Sequence, residues 1–379
     1  MNSRSPGTGR RQLLRAGAAL LAAPVLSYAQ PAKPAAGRPI TVAQIFDTSA
    51  ENQDVAKDFL IGSRAAWQDI NSKGGVRGRP VQHSSIEVDG TPASLRAAMQ
   101  AVESNAACVC LSGTVSDPVA AQLMELLRKD NLAIAHAAPW LQNSSADIDD
   151  RTFPIFAARQ EQIGHALKSL SLNGLQDVGA VFASAREQQL YRADVERSAA
   201  QMKLRLLTYS GSDLVQLGQR LGPASPAVLL FIGGTPELAQ FTQGLDKQAR
   251  QRYVVALADV NLQTLAQMGA AKSTPVIATQ AVPTVTSPIP IVRRYREVMQ
   301  RLFDEPPVAL SLAGFIAAHY THGVLAGVEG NLTRESALAA FQKRSTQDVG
   351  GYRVSFDARR RSATYVTQSM LTADGRVVG

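Results

Sequence analysis

The side chains best placed to do chemistry lie in short loops. After the apolar run "ACVCL" comes Ser112-Gly113-Thr114-Val115-Ser116-Asp117-Pro118, which reads as a strand end followed by a helix start. Asp117 suits the capping position of a helix and Pro118 its first turn. Free amides there, with the hydroxyls of Thr114 and Ser116 and the positive end of the helix dipole, would receive a ligand carboxylate. The same groups also serve as plain caps on a helix that binds nothing. Asp213, in "SGSDL", would face a ligand ammonium or cap the next helix. His319 and His322, in "HYTH", share a helical face and invite a metal. No carboxylate or thiolate lies close to them in sequence, which favours a partly exposed helix. There is no Gly-x-Ser-x-Gly elbow, no Walker loop and no His-Glu-x-x-His, so the familiar hydrolase, nucleotidase and zinc-peptidase motifs are missing.

Positioning such loops requires strands that end where helices begin. "ITVAQIF", "ACVCL", "LAIA", "DVGAVFA", "AVLLFIG", "YVVALA" and "PVIATQ" read as strands buried on both faces. Between them, residues 55–71, 92–104, 118–129, 161–173, 187–202 and 236–249 carry helical spacing. This alternation predicts an α/β fold of parallel sheets covered by helices. Breaks fall near "RTFPIFAAR" and "QAVPTVTSPIP", the latter before a helix over 292–303. The glycine-rich stretch "INSKGGVRGRPV", Ile70 to Val81, follows a helix and precedes a strand. A phosphate loop needs the opposite order, strand then helix. The stretch is therefore a corner. Trp67, in helical "RAAWQDI", is expected in the core.

At 379 residues, with 45% hydrophobic and 18% charged residues, the chain is globular and long enough for two domains. Its formal charge of +8 is concentrated at the start. Arg4, Arg10, Arg11 and Arg15 fall within residues 1–29, which hold no acid, and the remainder carries 35 basic against 31 acidic residues. A basic start, an apolar stretch from Ala16 to Leu26 and the small-x-small site Ser27-Tyr28-Ala29 predict a signal peptide over 1–29. "GRRQLLR" is similar to a twin-arginine signal, with ordinary Sec export as the alternative. A mobile leader over 30–39 would follow. The modest remaining charge and sparse aromatic residues speak against a nucleic-acid groove. Arg359-Arg360-Arg361 reads as a solvated turn. Cys108 and Cys110, two apart on a strand, cannot bridge without strain and are expected as buried free thiols.

"INSKGGVRGRPV", then "EVDGTPASLRAAMQAV", "LSGTVSDPVAAQLMELLRKDNLAIAHAAP", "VGAVFASAREQQLYRADVERSAAQM", "LSLAGFIAAHYTHGVLAGV" and "GYRVSFDARRRSATYVTQSMLTADGRVV" run in that order along residues 40–379. Together these stretches resemble the type I periplasmic solute-binding proteins of ABC transporters, the leucine/isoleucine/valine-binding family. The resemblance implies two doubly wound parallel-sheet lobes joined by three hinge strands, with ligand in the cleft between them. Lobe 1 would comprise 40–157 and 284–350, and lobe 2 would comprise 158–283 and 351–379.

The resemblance also supplies site residues and departures from the pattern. The family's Ser-Pro-x-x-Thr-like loop is replaced by His136-Ala137-Ala138-Pro139-Trp140, which puts an indole in place of a hydroxyl. Ala138 and Trp140 would then line the site, unless Trp140 packs under the loop as core. Tyr191 stands at the family's ligand-contacting tyrosine, followed by Arg192 where the family has glycine; that arginine would pair with a carboxylate or lie in solvent. "FDTSAENQD" replaces a Gly-rich loop, so Thr48, Ser49 or Asn52 would line the cleft. The implied function is a monomeric periplasmic receptor for a small carboxylate-bearing solute, an amino acid or an aromatic or branched organic acid, serving the permease of an ABC importer. It would catalyse nothing and would need no cofactor, metal or nucleic acid. A ligand sensor with the same fold is the alternative.

Overall fold

The computed structural model describes residues 37–379 except 173, 304, 305, 363, 364, 373 and 374. The predicted signal peptide lies outside the described residues. The first half of the chain runs β1 (Ile40–Asp47), α1 (Gln53–Ser72), β2 (Val81–Val88), α2 (Pro92–Ser104), β3 (Cys108–Ser112), α3 (Asp117–Lys129), β4 (Ala135–Ala137) and β5 (Thr152–Phe153). These five strands form one parallel sheet in the order β2-β1-β3-β4-β5. All eight residues of β1 and all five of β3 are buried, as expected of predominantly apolar central parallel strands.

The chain then builds a second sheet with α4 (Arg159–Leu172), β6 (Asp177–Phe182), α5 (Ala185–Gln201), β7 (Arg205–Ser210), α6 (Leu214–Gln219), β8 (Val228–Ile232), α7 (Thr235–Leu245), β9 (Tyr253–Ala256), α8 (Leu262–Gln267) and β10 (Val276–Gln280). It returns to the first lobe with α9 (Pro290–Leu302), α10 (Ala309–Ala326), α11 (Arg334–Gln342) and the hairpin β11 (Gln347–Val349) and β12 (Tyr352–Val354). Finally β13 (Thr367–Leu371) and β14 (Val377–Val378) join the edge of the second sheet antiparallel, giving the order β14-β13-β10-β9-β8-β6-β7. Apolar clusters cover both faces of each sheet. The architecture is thus the expected pair of doubly wound lobes.

Several local expectations need adjustment. The strand read in "LAIA" starts later, at Ala135, because Asn131 takes a left-handed φ of 51° and turns the chain after α3. Strand β7 has no unbroken apolar run; it sits at the sheet edge with exposed and half-buried residues. Tyr352 and Val354 are buried in the first lobe's core rather than the second's. The Tyr352 hydroxyl donates to Ile155 O at 2.8 Å and its ring stacks on Tyr365, which fastens two of the inter-lobe segments together. "INSKGGVRGRPV" is the expected corner, with Gly74, Gly75 and Gly78 at φ of 103°, 68° and 78°. Cys108 and Cys110 are buried free thiols, and Trp67 is core.

Helix α10 is long and apolar enough to cross a membrane by length and composition. Most of it is instead buried against α1. A Cβ at Gly62 would lie 1.7 Å from Ser311 O, and one at Gly314 would lie 2.0 Å from Phe59 O. Only glycine allows these two backbones to touch.

Candidate functional site

Both lobes repeat one winding. The first sheet reads β2-β1-β3-β4-β5, and the parallel part of the second reads β7-β6-β8-β9-β10. In each, the strand order reverses beside the first-laid strand, between β1 and β3 and between β6 and β8. Loops diverge at such a point and leave a crevice beyond the strand ends. The two crevices share one cavity of about 290 Å³, lined from lobe 1 by residues that include Asn52, Asp54, Ser116, Asp117 and Trp140. Lobe 2 lines it with Arg159, Ser184, Glu187, Tyr191, Gly233 to Glu237 and Asp259.

On the lobe 1 side, Asp47 at the end of β1 gathers the loops. Its carboxylate accepts from Ser49 N, Asn52 Nδ2 and Ser116 Oγ at 2.8 to 3.0 Å. Ser116, not Asp117, is the cap of α3; it takes a φ of 78° while its hydroxyl oxygen accepts from Val119 N. A non-glycine residue there stores roughly 1 to 3 kcal/mol of strain, a pattern concentrated at functional loops. Asp117 accepts the amides of Gln142 and Asn143, which clamps the loop that carries Trp140. Arg361 donates to the carbonyls of Leu141 and Asn143 on the same loop. It is buried, so the arginine triplet is not wholly the solvated turn expected from its sequence.

Two hydrogen bonds cross the cleft in opposite directions. Trp140 Nε1 of lobe 1 donates to Asp259 Oδ1 of lobe 2 at 2.8 Å, and the Tyr191 hydroxyl of lobe 2 donates to Asp117 Oδ2 of lobe 1 at 3.1 Å. Each lobe thus offers one aromatic donor and one carboxylate. Between them lies Arg159, only 5% exposed, paired with Asp259 and, at 2.9 Å, with Glu187, and stacked over the Tyr191 ring. Burial works against its charge, yet Asp259 and Glu187 outweigh burial and hold the guanidinium protonated. Burial raises the pKa of Asp117 despite the nearby Arg159, and does the same to Glu187.

The predicted residues divide accordingly. Ser116, Asp117, Trp140 and Tyr191 line the cavity. Asn52 does too, whereas Ser49 and Thr48 are spent in the β1 turn, bonded to Asp47 and Val88. Thr114 is fully buried and does not reach the lining; Ala138, also buried, turns the chain at a φ of 48°. Arg192 points outward and pairs with Glu196 one helical turn on. Asp213 is exposed and caps α6 through Gln216 N. Trp140 is both wall and core: it is 2% exposed, its ring packs on Phe59 and Phe156, and only its edge meets the cleft. His319 lies on Phe315 near Asp69, while His322 meets Gly75 O; among the described residues no metal-binding group of three side chains forms.

The sequence reading missed Arg159, Glu187, Glu237 and Asp259. Glu187 and Glu237 carried a signal, an acid in the first turn of a helix that follows a strand. Arg159 and Asp259 become partners only through the fold.

The sequence matches the periplasmic binding protein family over residues 39–375, and the chain belongs to that family. No curated protein matches it. Among solved structures it is similar to an extracellular ligand-binding receptor from Verminephrobacter eiseniae, with a TM-score of 0.81 at 16% identity, covering 90% of this chain and 100% of that one. A possible leucine/isoleucine/valine-binding protein from Rhodopirellula baltica gives a TM-score of 0.78 at 15% identity, with 92% and 98% covered. The branched-chain amino acid transporter substrate-binding protein of Streptococcus pneumoniae, in complex with isoleucine, gives 0.74 at 13% identity, with 89% and 97% covered. The fold is that of type I periplasmic binding proteins.

Proposed function

We propose that this chain is an exported, monomeric receptor of an ABC importer. It closes its two lobes on a small polar solute, presents that solute to a membrane permease and leaves it chemically unchanged. The observation that carries the reading is the cavity at the two facing crevices, bridged by the reciprocal Trp140–Asp259 and Tyr191–Asp117 bonds. Side chains from both lobes complete one binding surface, so a ligand touching both favours the closed arrangement over the open one.

The same geometry supports a polar solute within the class expected from sequence. A carboxylate at α3 would need the Thr114 and Ser116 hydroxyls, but Thr114 does not line the cavity and Ser116 is bonded to Asp47. This favours a solute with a cationic or neutral polar group over a bare organic acid. Small-angle scattering of the full chain, titrated with fractionated metabolites from its host, is expected to show compaction, with the bound compound recovered intact. Recovery of an altered compound would refute the receptor reading.

A further inference from the structure

Four helices direct their N-termini at the cavity, and each has an acid in its first turn: Asp54 on α1, Asp117 on α3, Glu187 on α5 and Glu237 on α7. A helix N-terminus ordinarily draws a ligand anion. Here the chain supplies the anions itself. With Asp259 and the rim residue Glu51, the lining holds six carboxylates against two guanidiniums, Arg159 and Arg186.

The guanidiniums do not balance this excess. Arg159 is engaged by Glu187 and Asp259, and Arg186 is exposed. Asp117 is satisfied by two backbone amides and the Tyr191 hydroxyl, all neutral donors. Glu237 is the sharper case. Its Oε2 is buried and has no hydrogen-bond partner among the described residues, yet the residue lines the cavity. A Cβ at Gly234 would come 2.9 Å from that oxygen, so the glycine leaves room for the carboxylate over the mouth of α7. A buried carboxylate oxygen without a donor is costly until a ligand supplies one. Arg159 Nε is also buried without a partner, but the same guanidinium already faces Glu187 and Asp259.

Resting on the receptor reading above, we propose that the cleft selects a small solute of net positive charge, whose ammonium or guanidinium group meets Glu237 and the neighbouring acids, and that it disfavours anions. Burial, only partly offset by Arg159, raises the carboxyl pKa values at Asp117 and Glu187.

The test uses three straight-chain probes of matched length, diaminobutane, aminobutanoate and butanedioate, titrated calorimetrically into the full chain at neutral pH. The diamine is expected to bind about tenfold or more tighter than the zwitterion, the scale of one hydrogen bond to a charged group, with the diacid weakest. Glu237→Gln should lower diamine affinity about tenfold on the same grounds, while the unliganded melting temperature does not fall. Tightest binding of aminobutanoate or butanedioate overturns the inference and leaves the receptor reading intact. Failure of all three to bind also overturns it. If, in addition, no host metabolite fraction compacts the chain, the receptor reading falls with it.

Discussion

The seam between α1 and α10 and the cleft between the lobes are both interfaces of long helices and loops, yet they are held by opposite means. At the seam, Gly62 and Gly314 bring backbone against backbone, and Phe59, Phe315 and Ile316 fill the flanks. Such contact is dry and depends on shape, so it has one arrangement. At the cleft, the links between the lobes are Trp140–Asp259 and Tyr191–Asp117, polar bonds that water or a ligand can replace, beside the Arg159 pairs within lobe 2. The difference separates what must stay fixed from what can open. Helix α1 takes part in both: its body is locked at the seam while its N-terminal turn lines the cleft.

The largest expected effect tests the fixed side. Gly314→Val drives a side chain into Phe59 O, and relief requires moving a backbone, so a loss of about 4 kcal/mol or more is expected, at the upper end for single substitutions. Chemical denaturation would measure it, and a loss below about 1 kcal/mol would show that the seam gives way as easily as an ordinary surface. Next comes Arg159→Met, which strands Glu187 and Asp259 with their buried charge. Breaking such a buried pair costs about 3 kcal/mol, which chemical denaturation of the variant would measure.

The acids of the cleft should also show in the pH dependence of stability. Glu187 has a folded-state pKa above its usual 4.5, so the native chain holds a proton that the unfolded chain has released. Its effect on stability is therefore unfavourable at neutral pH and is relieved as pH falls through the raised value. In Glu187→Gln that dependence disappears. Stability of the natural chain relative to the variant should thus rise as the solution is acidified from pH 7 toward 4.5, by up to about 1.4 kcal/mol per unit of pKa shift. A difference that is flat with pH would remove Glu187 from the buried charge cluster. The smallest effect is Tyr191→Phe. Losing one cross-lobe hydrogen bond costs about 1 kcal/mol, and the unliganded chain should become slightly more extended in scattering without losing secondary structure.

The division between seam and cleft also explains what was legible in the sequence. Buried strands such as β1 and β8 announce themselves through apolar runs, and Pro92 to Ser104 emerges as α2 with the same bounds because a proline and Thr91 mark its start. The edge strand β7 lacks such a run and was missed. At the site, Ser116, Asp117, Trp140 and Tyr191 were legible because they follow strands or sit in a loop with a family resemblance. Arg159 was not, because a buried guanidinium has meaning only beside its acids, and Asp259 lies 100 residues away. Arg192 and Asp213 stayed open between two roles for a related reason: which side of a helix start faces the cleft depends on how the whole lobe is wound, not on the residue type.

The seam has a consequence for the order in which the chain takes shape. Ser63 Oγ donates to Gly314 O across 251 residues, and the whole of α4 to β10 lies between them. As the chain is made, the parallel strands of lobe 2 are all available before α10 leaves the ribosome, whereas α1 waits with Phe59 and Leu60 uncovered. Long-range closure of this kind is slow and leaves apolar surface open in the meantime. Lobe 1, although made first, cannot close its core until α10 arrives, and arrested chains ending at residue 302 should show a lobe 2 that lacks only its β13–β14 edge and resists protease better than lobe 1. The interval in which α1 stands uncovered is when a holding chaperone would find most to grip.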